Sequence, residues 1–219
     1  MDSPTDIKKV GIIGAGVMGV GVGQNVAQFG MEAVLVDISD EVLAHARAEI
    51  QKNLRFQGMF QKGAKKEDSA AVLGRIRFTT SLDDLGDVDF VVENVPEKWE
   101  LKSPIYPRID AICPQHAVFA VNTSCYSITR VGALTKRPDR VIGMHFMNPV
   151  PLKPMVEAIR GHHTSESTIA IARHFLGQMG KDCILVNDMP GFVTNRVLML
   201  TINEAVYVLQ DGVATAEQV

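Results

Sequence analysis

The stretch Val10-Gly-Ile-Ile-Gly-Ala-Gly-Val-Met-Gly19 decides how the chain folds. Its apolar run, Val10 to Ile13, reads as a short strand, because parallel strands covered on both faces are almost wholly apolar. The run enters Gly14-Ala-Gly16-Val17-Met18-Gly19, which fits G-x-G-x-x-G. Alone that pattern is weak. Here a helix over about 16–29 follows it, with Gly30 as its C-terminal cap, and a second strand over 33–36 ends at Asp37. Asp37 lies 18 positions after Gly19, close to the offset of about 20 found in dinucleotide-binding folds. Gly14 permits the tight turn, Gly16 lets backbone approach a pyrophosphate, and Gly19 lets helix and strand pack closely. The helix N-terminus, with Val17 and Met18, offers free N–H groups to that pyrophosphate. Asp37 suits the two hydroxyls of an adenosine ribose and would repel a 2′-phosphate. No arginine follows nearby, so NAD is favoured over NADP, with FAD as the other nucleotide option.

Working outward, a long helix starts near Asp40 and runs into a polar stretch, so that 40–74 reads as a helical excursion from the sheet. Strands recur at 75–79, 90–92, 118–121 and 141–145, with helices over 97–112 and 127–134 between them. Strands alternating with helices predict a Rossmann-type, doubly wound, mostly parallel α/β sheet. Strands at 155–159 and 183–186 flank a helix over 165–179. The turn Asp188-Met-Pro-Gly191 then leads into an apolar helix over 192–209, which needs cover on more than one side. The expected division is 1–189 for the nucleotide-binding domain and 190–219 for the first part of a helical substrate and dimerisation domain.

Composition narrows the function. Lys and Arg number 22 against 25 Asp and Glu, for a net charge of −3, which argues against a non-specific nucleic-acid binder. The three cysteines, Cys113, Cys125 and Cys183, lie far apart and offer neither a disulfide framework nor a CxxC metal site, which suits a reducing cytoplasm. No apolar run approaches the roughly 20 residues a membrane span needs, and 1–9 lack the apolar core of a signal peptide.

Polar residues stand where strands should end: Glu93 and Asn94, Asn122-Thr-Ser124, and His145. Ligands of open α/β sheets bind outside those carboxyl ends, so these groups face the place a nicotinamide would occupy. With these residues in place the chain resembles the 3-hydroxyacyl-CoA dehydrogenase family. The resemblance rests on VGIIGAGVMG at 10–19, VVENVPEKWELK at 91–102, NTSCYSIT at 122–129, GMHFMNPVPLKPMVEAI at 143–159 and PGFVTNR at 190–196, and it covers nearly the whole chain. It implies that His145 is the catalytic acid/base, that Glu157 is its carboxylate partner, and that Ser124 and Asn195 hydrogen-bond the reacting oxygen. It further implies that Glu97, Lys102, Asn122 and Asn148 line the NAD site and that Lys62 contacts the CoA moiety. No metal is implied.

Three departures from the family pattern are present. The segment NLRFQGMFQKGAKKED at 53–68 is about two residues longer than usual, and NTSC and ENVPEKW replace commoner family strings. Both resemble a side branch acting on acyl-carrier-protein thioesters in polyketide extender-unit biosynthesis, such as methoxymalonyl-carrier-protein formation. The substrate is therefore expected on CoA or on an acyl carrier protein. The other departure is the C-terminal end, where Thr215-Ala-Glu-Gln218 has capping-box spacing and so opens a helix. The expectation is a chain that continues beyond Val219 and dimerises through the helical region. The competing reading, a nucleotide-binding module or inactive fragment, need not keep Ser124, His145, Glu157 and Asn195 together.

Overall fold

The computed structural model describes residues 5–60 and 68–219. Its centre is a sheet of eight strands: β1 Lys9–Ile13, β2 Glu32–Val36, β3 Ile76–Thr79, β4 Phe90–Glu93, β5 Val118–Val121, β6 Val141–Phe146, β7 Met155–Arg160 and β8 Asp182–Asn187. Their spatial order is β3-β2-β1-β4-β5-β6-β7-β8. The first six strands are parallel, β7 pairs antiparallel with β6, and β8 runs parallel with β7. The order reverses at β1, between β2 and β4, which is the crevice where such sheets take their ligands.

The α-helices are α1 Val17–Gln28, α2 Asp40–Phe60, α3 Ser69–Gly74, α4 Trp99–Lys102, α5 Ile105–Ile112, α6 Ile128–Gly132, α7 Glu166–Gln178 and α8 Thr194–Gln210. Because strand side chains alternate, the sheet builds two cores. Val10, Ile12, Leu35, Phe90, Val92 and Met144 face α1, α2 and α7. Val34, Val36, Val91, Phe119 and Val121 face α5 and α6.

The single helix expected over 97–112 is two. Pro104 has no amide hydrogen to donate and its ring would strike the carbonyl four residues back, so α4 stops and α5 begins afresh after it. The expected helix start at Thr215 is only a turn, in which the Gln218 side chain accepts from the Thr215 amide at 2.9 Å. Among the described residues nothing buries α8. Its apolar side chains, including Val197, Leu200, Ile202 and Val206, stand exposed.

At the carboxyl edge the Lys102 ammonium is fully buried. It donates to both oxygens of Glu93 at 2.9 and 2.7 Å and to the carbonyl of Asn122 at 3.3 Å. Tyr106 donates its hydroxyl to Glu93 Oε2 at 2.7 Å, and the Val95 amide donates to Oε1 at 2.7 Å. Burial pushes the Glu93 carboxyl up, and Lys102 and Tyr106 offset part of that rise. Burial, reinforced by Glu93, pushes the Tyr106 phenol well up, so it stays a donor. Replacing Lys102 by Met should leave a buried, uncompensated carboxylate and cost about 3–5 kcal/mol. Urea unfolding measures it, and a loss below about 1 kcal/mol would mean that Glu93 finds another donor.

Candidate active site

The glycine loop closes over the end of β1. Gly14 has φ +93°, and a Cβ there would lie 2.9 Å from the carbonyl of Asn94, the residue after β4. A Cβ at Gly19 would lie 1.7 Å from the Gly14 oxygen, so side chains are shut out of both positions. Gly16 differs: a Cβ there would meet no protein atom within 4 Å. No side chain caps the start of α1, where Val17 and Met18 stand. Its first-turn amides therefore face open space that suits a pyrophosphate. Asp37 leans toward this loop. Its Oδ2 accepts from the Ala15 amide at 2.6 Å and its Oδ1 from the Ile38 amide at 2.7 Å. Each carboxylate oxygen keeps a lone pair for another donor.

The reversal at β6 and β7 makes the second part of the site. In their register His145 lies directly opposite Glu157, so both side chains leave the same face. Glu157 Oε2 accepts from His145 Nδ1 at 3.0 Å, and His145 Nε2 lies 3.1 Å from Ser124 Oγ. A proton on Nδ1, where the carboxylate can take it, leaves a free lone pair on Nε2 in the neutral ring. Both residues are buried, His145 at 8% exposed and Glu157 at 4%. Glu157 Oε1 accepts from the amides of Val193 and Thr194, at 2.8 and 3.2 Å, where α8 begins. Burial alone would push the Glu157 carboxyl up, but the hydrogen bonds from His145, Val193 and Thr194 hold it below its ordinary range. Phe192, in a left-handed backbone conformation at φ +49°, packs beside the His145 ring. Asn195 Nδ2 donates to the Ser124 carbonyl at 3.4 Å.

The sheet edge thus brings together four residues singled out in the sequence: Ser124, His145, Glu157 and Asn195. Glu97 Oε1 accepts from the Ser124 amide at 2.7 Å. Asn122 donates to Asn94 Oδ1 at 2.8 Å and accepts from the Phe146 amide at 3.3 Å, tying β4, β5 and β6 together. Asn148 lines a cleft of about 780 Å³ with Gly16, Val17, His45, Glu49 and Pro149. Lys102 is placed otherwise than the resemblance implies. Its ammonium lies beneath the site, enclosed by Glu93 and Asn122, and does not reach the cleft surface. Lys62 falls outside the described residues. Sequence reading missed the roles of Glu93 and Tyr106 around Lys102, and of Asp188 beside α6. Neither group lies in a pattern whose spacing announces a contact. Among the described residues no group of three or more His, Cys, Asp or Glu could hold a metal, and no helix is long and apolar enough to cross a membrane.

Comparison with known proteins agrees with this geometry. The family model described as 3-hydroxyacyl-CoA dehydrogenase, NAD binding domain, matches residues 9–189, and that of the C-terminal domain of the same family matches 191–219. The chain belongs to the 3-hydroxyacyl-CoA dehydrogenase family. It is 43% identical over 213 residues to a 3-hydroxybutyryl-CoA dehydrogenase of Bradyrhizobium diazoefficiens, covering 97% of this chain and 72% of that protein. A probable 3-hydroxybutyryl-CoA dehydrogenase of Bacillus subtilis is 40% identical over 215 residues, covering 98% and 74%. The crystal structure of (S)-3-hydroxybutyryl-CoA dehydrogenase PaaH1 from Ralstonia eutropha superposes with a TM-score of 0.93 at 44% identity, covering 97% and 75%. The chain is accordingly an NAD-dependent 3-hydroxyacyl-CoA dehydrogenase, and the open cradle at Gly16 and the acid at Asp37 fit NAD.

The dehydrogenase should bind NADH much more tightly than NADPH, and Asp37→Ala should narrow the gap. Fluorescence titration measures both affinities, and equal values in the unmodified protein would remove Asp37 from the ribose site.

Proposed function

We propose that this dehydrogenase oxidises the 3-hydroxyl of a short 3-hydroxyacyl-CoA, with His145 as the base, and runs the reverse reaction with His145 as the acid. The observation that carries this reading is the hydrogen-bonded line Ser124 Oγ, His145, Glu157. NAD, held at the glycine loop and Asp37, would supply the hydride acceptor for C3. His145 Nε2 accepts the hydroxyl proton, and Glu157 stabilises the imidazolium so formed through Nδ1. Ser124 and Asn195 orient the reacting oxygen. Glu97 fixes the Ser124 amide, Asn122 fixes the end of β6, and Lys102 holds the loops beneath them. Asn148 borders, with Gly16 and Val17, the cleft assigned to NAD.

The relatives of the chain are named for CoA esters, which supports CoA over a carrier protein as the thioester's bearer. The carrier-protein reading rests on the NTSC and ENVPEKW strings and on the lengthened 53–68 segment, of which 61–67, with Lys62, lie outside the described residues. Residues 1–189 would serve the nucleotide and 190–219 the substrate side and dimerisation. The exposed apolar side chains of α8 support cover by a second copy.

His145→Gln should lower kcat by about 10²- to 10⁴-fold while leaving NADH affinity nearly unchanged. The assay follows NADH absorbance with acetoacetyl-CoA and, in reverse, with 3-hydroxybutyryl-CoA. Undiminished turnover in this variant would refute the assignment. An equal or better kcat/KM with the same acyl group on a carrier protein would overturn the choice of CoA.

A further inference from the structure

We propose that Asp188 is a positioning residue for the His145–Glu157 pair, pinning the turn between β8 and α8 to the start of α6 so that the α8 amides meet Glu157. The proposal rests on the proton-transfer role of that pair and adds a residue remote from it in the chain. Asp188 ends the ladder of β8, its amide donating to the Arg160 carbonyl at 3.1 Å. Beyond it the chain leaves the sheet.

The Asp188 carboxylate is the next anchor. Its Oδ2 accepts from Ser127 Oγ at 2.8 Å, from the Thr129 amide at 2.8 Å and from Thr129 Oγ1 at 2.6 Å. Its Oδ1 accepts from the Ile128 amide at 3.1 Å. Four donors from one turn are thus gathered on a single carboxylate. That turn begins three residues after Ser124, so the pin joins the Ser124 loop to the turn that reaches Glu157.

The segment after Asp188 depends on that anchor. Gly191 turns the chain at φ +76°, and Phe192 is buried against His145. The Val193 and Thr194 amides then meet Glu157 Oε1, and Asn195 meets the Ser124 carbonyl. Apolar burial does not hold α8 in this register, since no residue of the helix is buried among the described residues. Phe192 and the Asp188 hydrogen bonds carry that task. With Oε1 held by two amides, Oε2 is left aimed at Nδ1. Without the pin the start of α8 drifts, Glu157 loses two donors at a buried position, and the carboxylate loses its fixed aim at the ring.

The experiment compares Asp188→Ala, Glu157→Gln and the double variant in the full chain. It reads turnover, NADH affinity and the titration of His145 by NMR. Asp188→Ala should lower kcat by about 10- to 100-fold, since misplacement of a catalytic group by an ångström has that scale. NADH affinity should stay within about twofold of the unmodified protein, because the glycine loop is untouched. The His145 midpoint should move down in pH, in the same direction as in Glu157→Gln, because the imidazolium loses a well-aimed partner. The double variant should be no worse than Glu157→Gln alone, whereas independent effects would multiply. Multiplied losses, or an unmoved His145 midpoint in Asp188→Ala while Glu157→Gln shifts it, would overturn the pin and leave the pair intact. Glu157→Gln silent in both turnover and titration would overturn the pair and the pin with it. If Asp188→Ala does not fold, Asp188→Asn and Thr129→Val weaken the same contact from either side. Both should then shift the His145 midpoint in the stated direction, and an unmoved midpoint in both would reject the proposal.

Discussion

Two neighbouring strand ends at the carboxyl edge of the sheet converge on the ammonium of Lys102. Glu93, at the end of β4, gives it both carboxylate oxygens, and Asn122, after β5, gives it a carbonyl. Two ions so buried are expensive to desolvate, and a well-packed apolar pair could stabilise the fold as well. An apolar pair could not accept the Val95 amide or donate to Asn122. Those contacts shape the loop that meets Gly14 on one side and, through Glu97, the Ser124 amide on the other. The polar cluster costs stability and supplies orientation, and both halves of the site inherit their geometry from it.

The reversal of chain direction after β6 has the second large effect. In a wholly parallel sheet the next strand would return to this edge only after a crossover of a dozen or more residues. The short antiparallel return puts Glu157 opposite His145 within 12 positions. The 3₁₀ turn Val150–Leu152 bridges that return, and Lys181 holds it by donating to the carbonyls of Val150 and Lys153 at 2.6 and 2.9 Å. Burial pushes the Lys181 ammonium pKa down. A lysine spent on backbone carbonyls at the cleft margin is structural support for the loop that bears Asn148.

Glu157 also links the two parts of the chain that the family models match. One oxygen belongs to a strand-borne histidine, the other to the first amides of α8. Partial positive charge at a helix N-terminus favours the ionised carboxylate. The hydrogen-bonded His145–Glu157 pair of the nucleotide-binding part is thus completed by backbone from the region after it. That gives a physical reason for the PGFVTNR turn to carry both a buried aromatic and an asparagine. Phe192 closes one side of the histidine, and Asn195 reaches back to the Ser124 loop.

Much of this was legible in the sequence, and the limit has a physical cause. The strand, glycine loop, helix and acid of residues 10–37 follow from local rules, because hydrophobic period, φ > 0 and free helix amides are properties of neighbouring residues. His145 stood out for the same reason, as a polar residue at the end of an apolar run. The break at Pro104 was also local, yet a continuous polar-apolar pattern over 97–112 masked it. What the sequence could not decide were contacts between groups far apart in the chain. Asp188 meets Ser127 and Thr129 across about 60 positions, and the α8 amides meet Glu157 across more than 30. The resemblance puts Lys102 in the lining of the NAD site, and only the packing of α4 beneath the strand ends makes it a buried partner of Glu93. Composition and period state what each segment prefers. The register of β6 against β7 and the docking of α8 decide which polar groups are left facing one another, because a carboxylate's partner is set by distance in space and not along the chain.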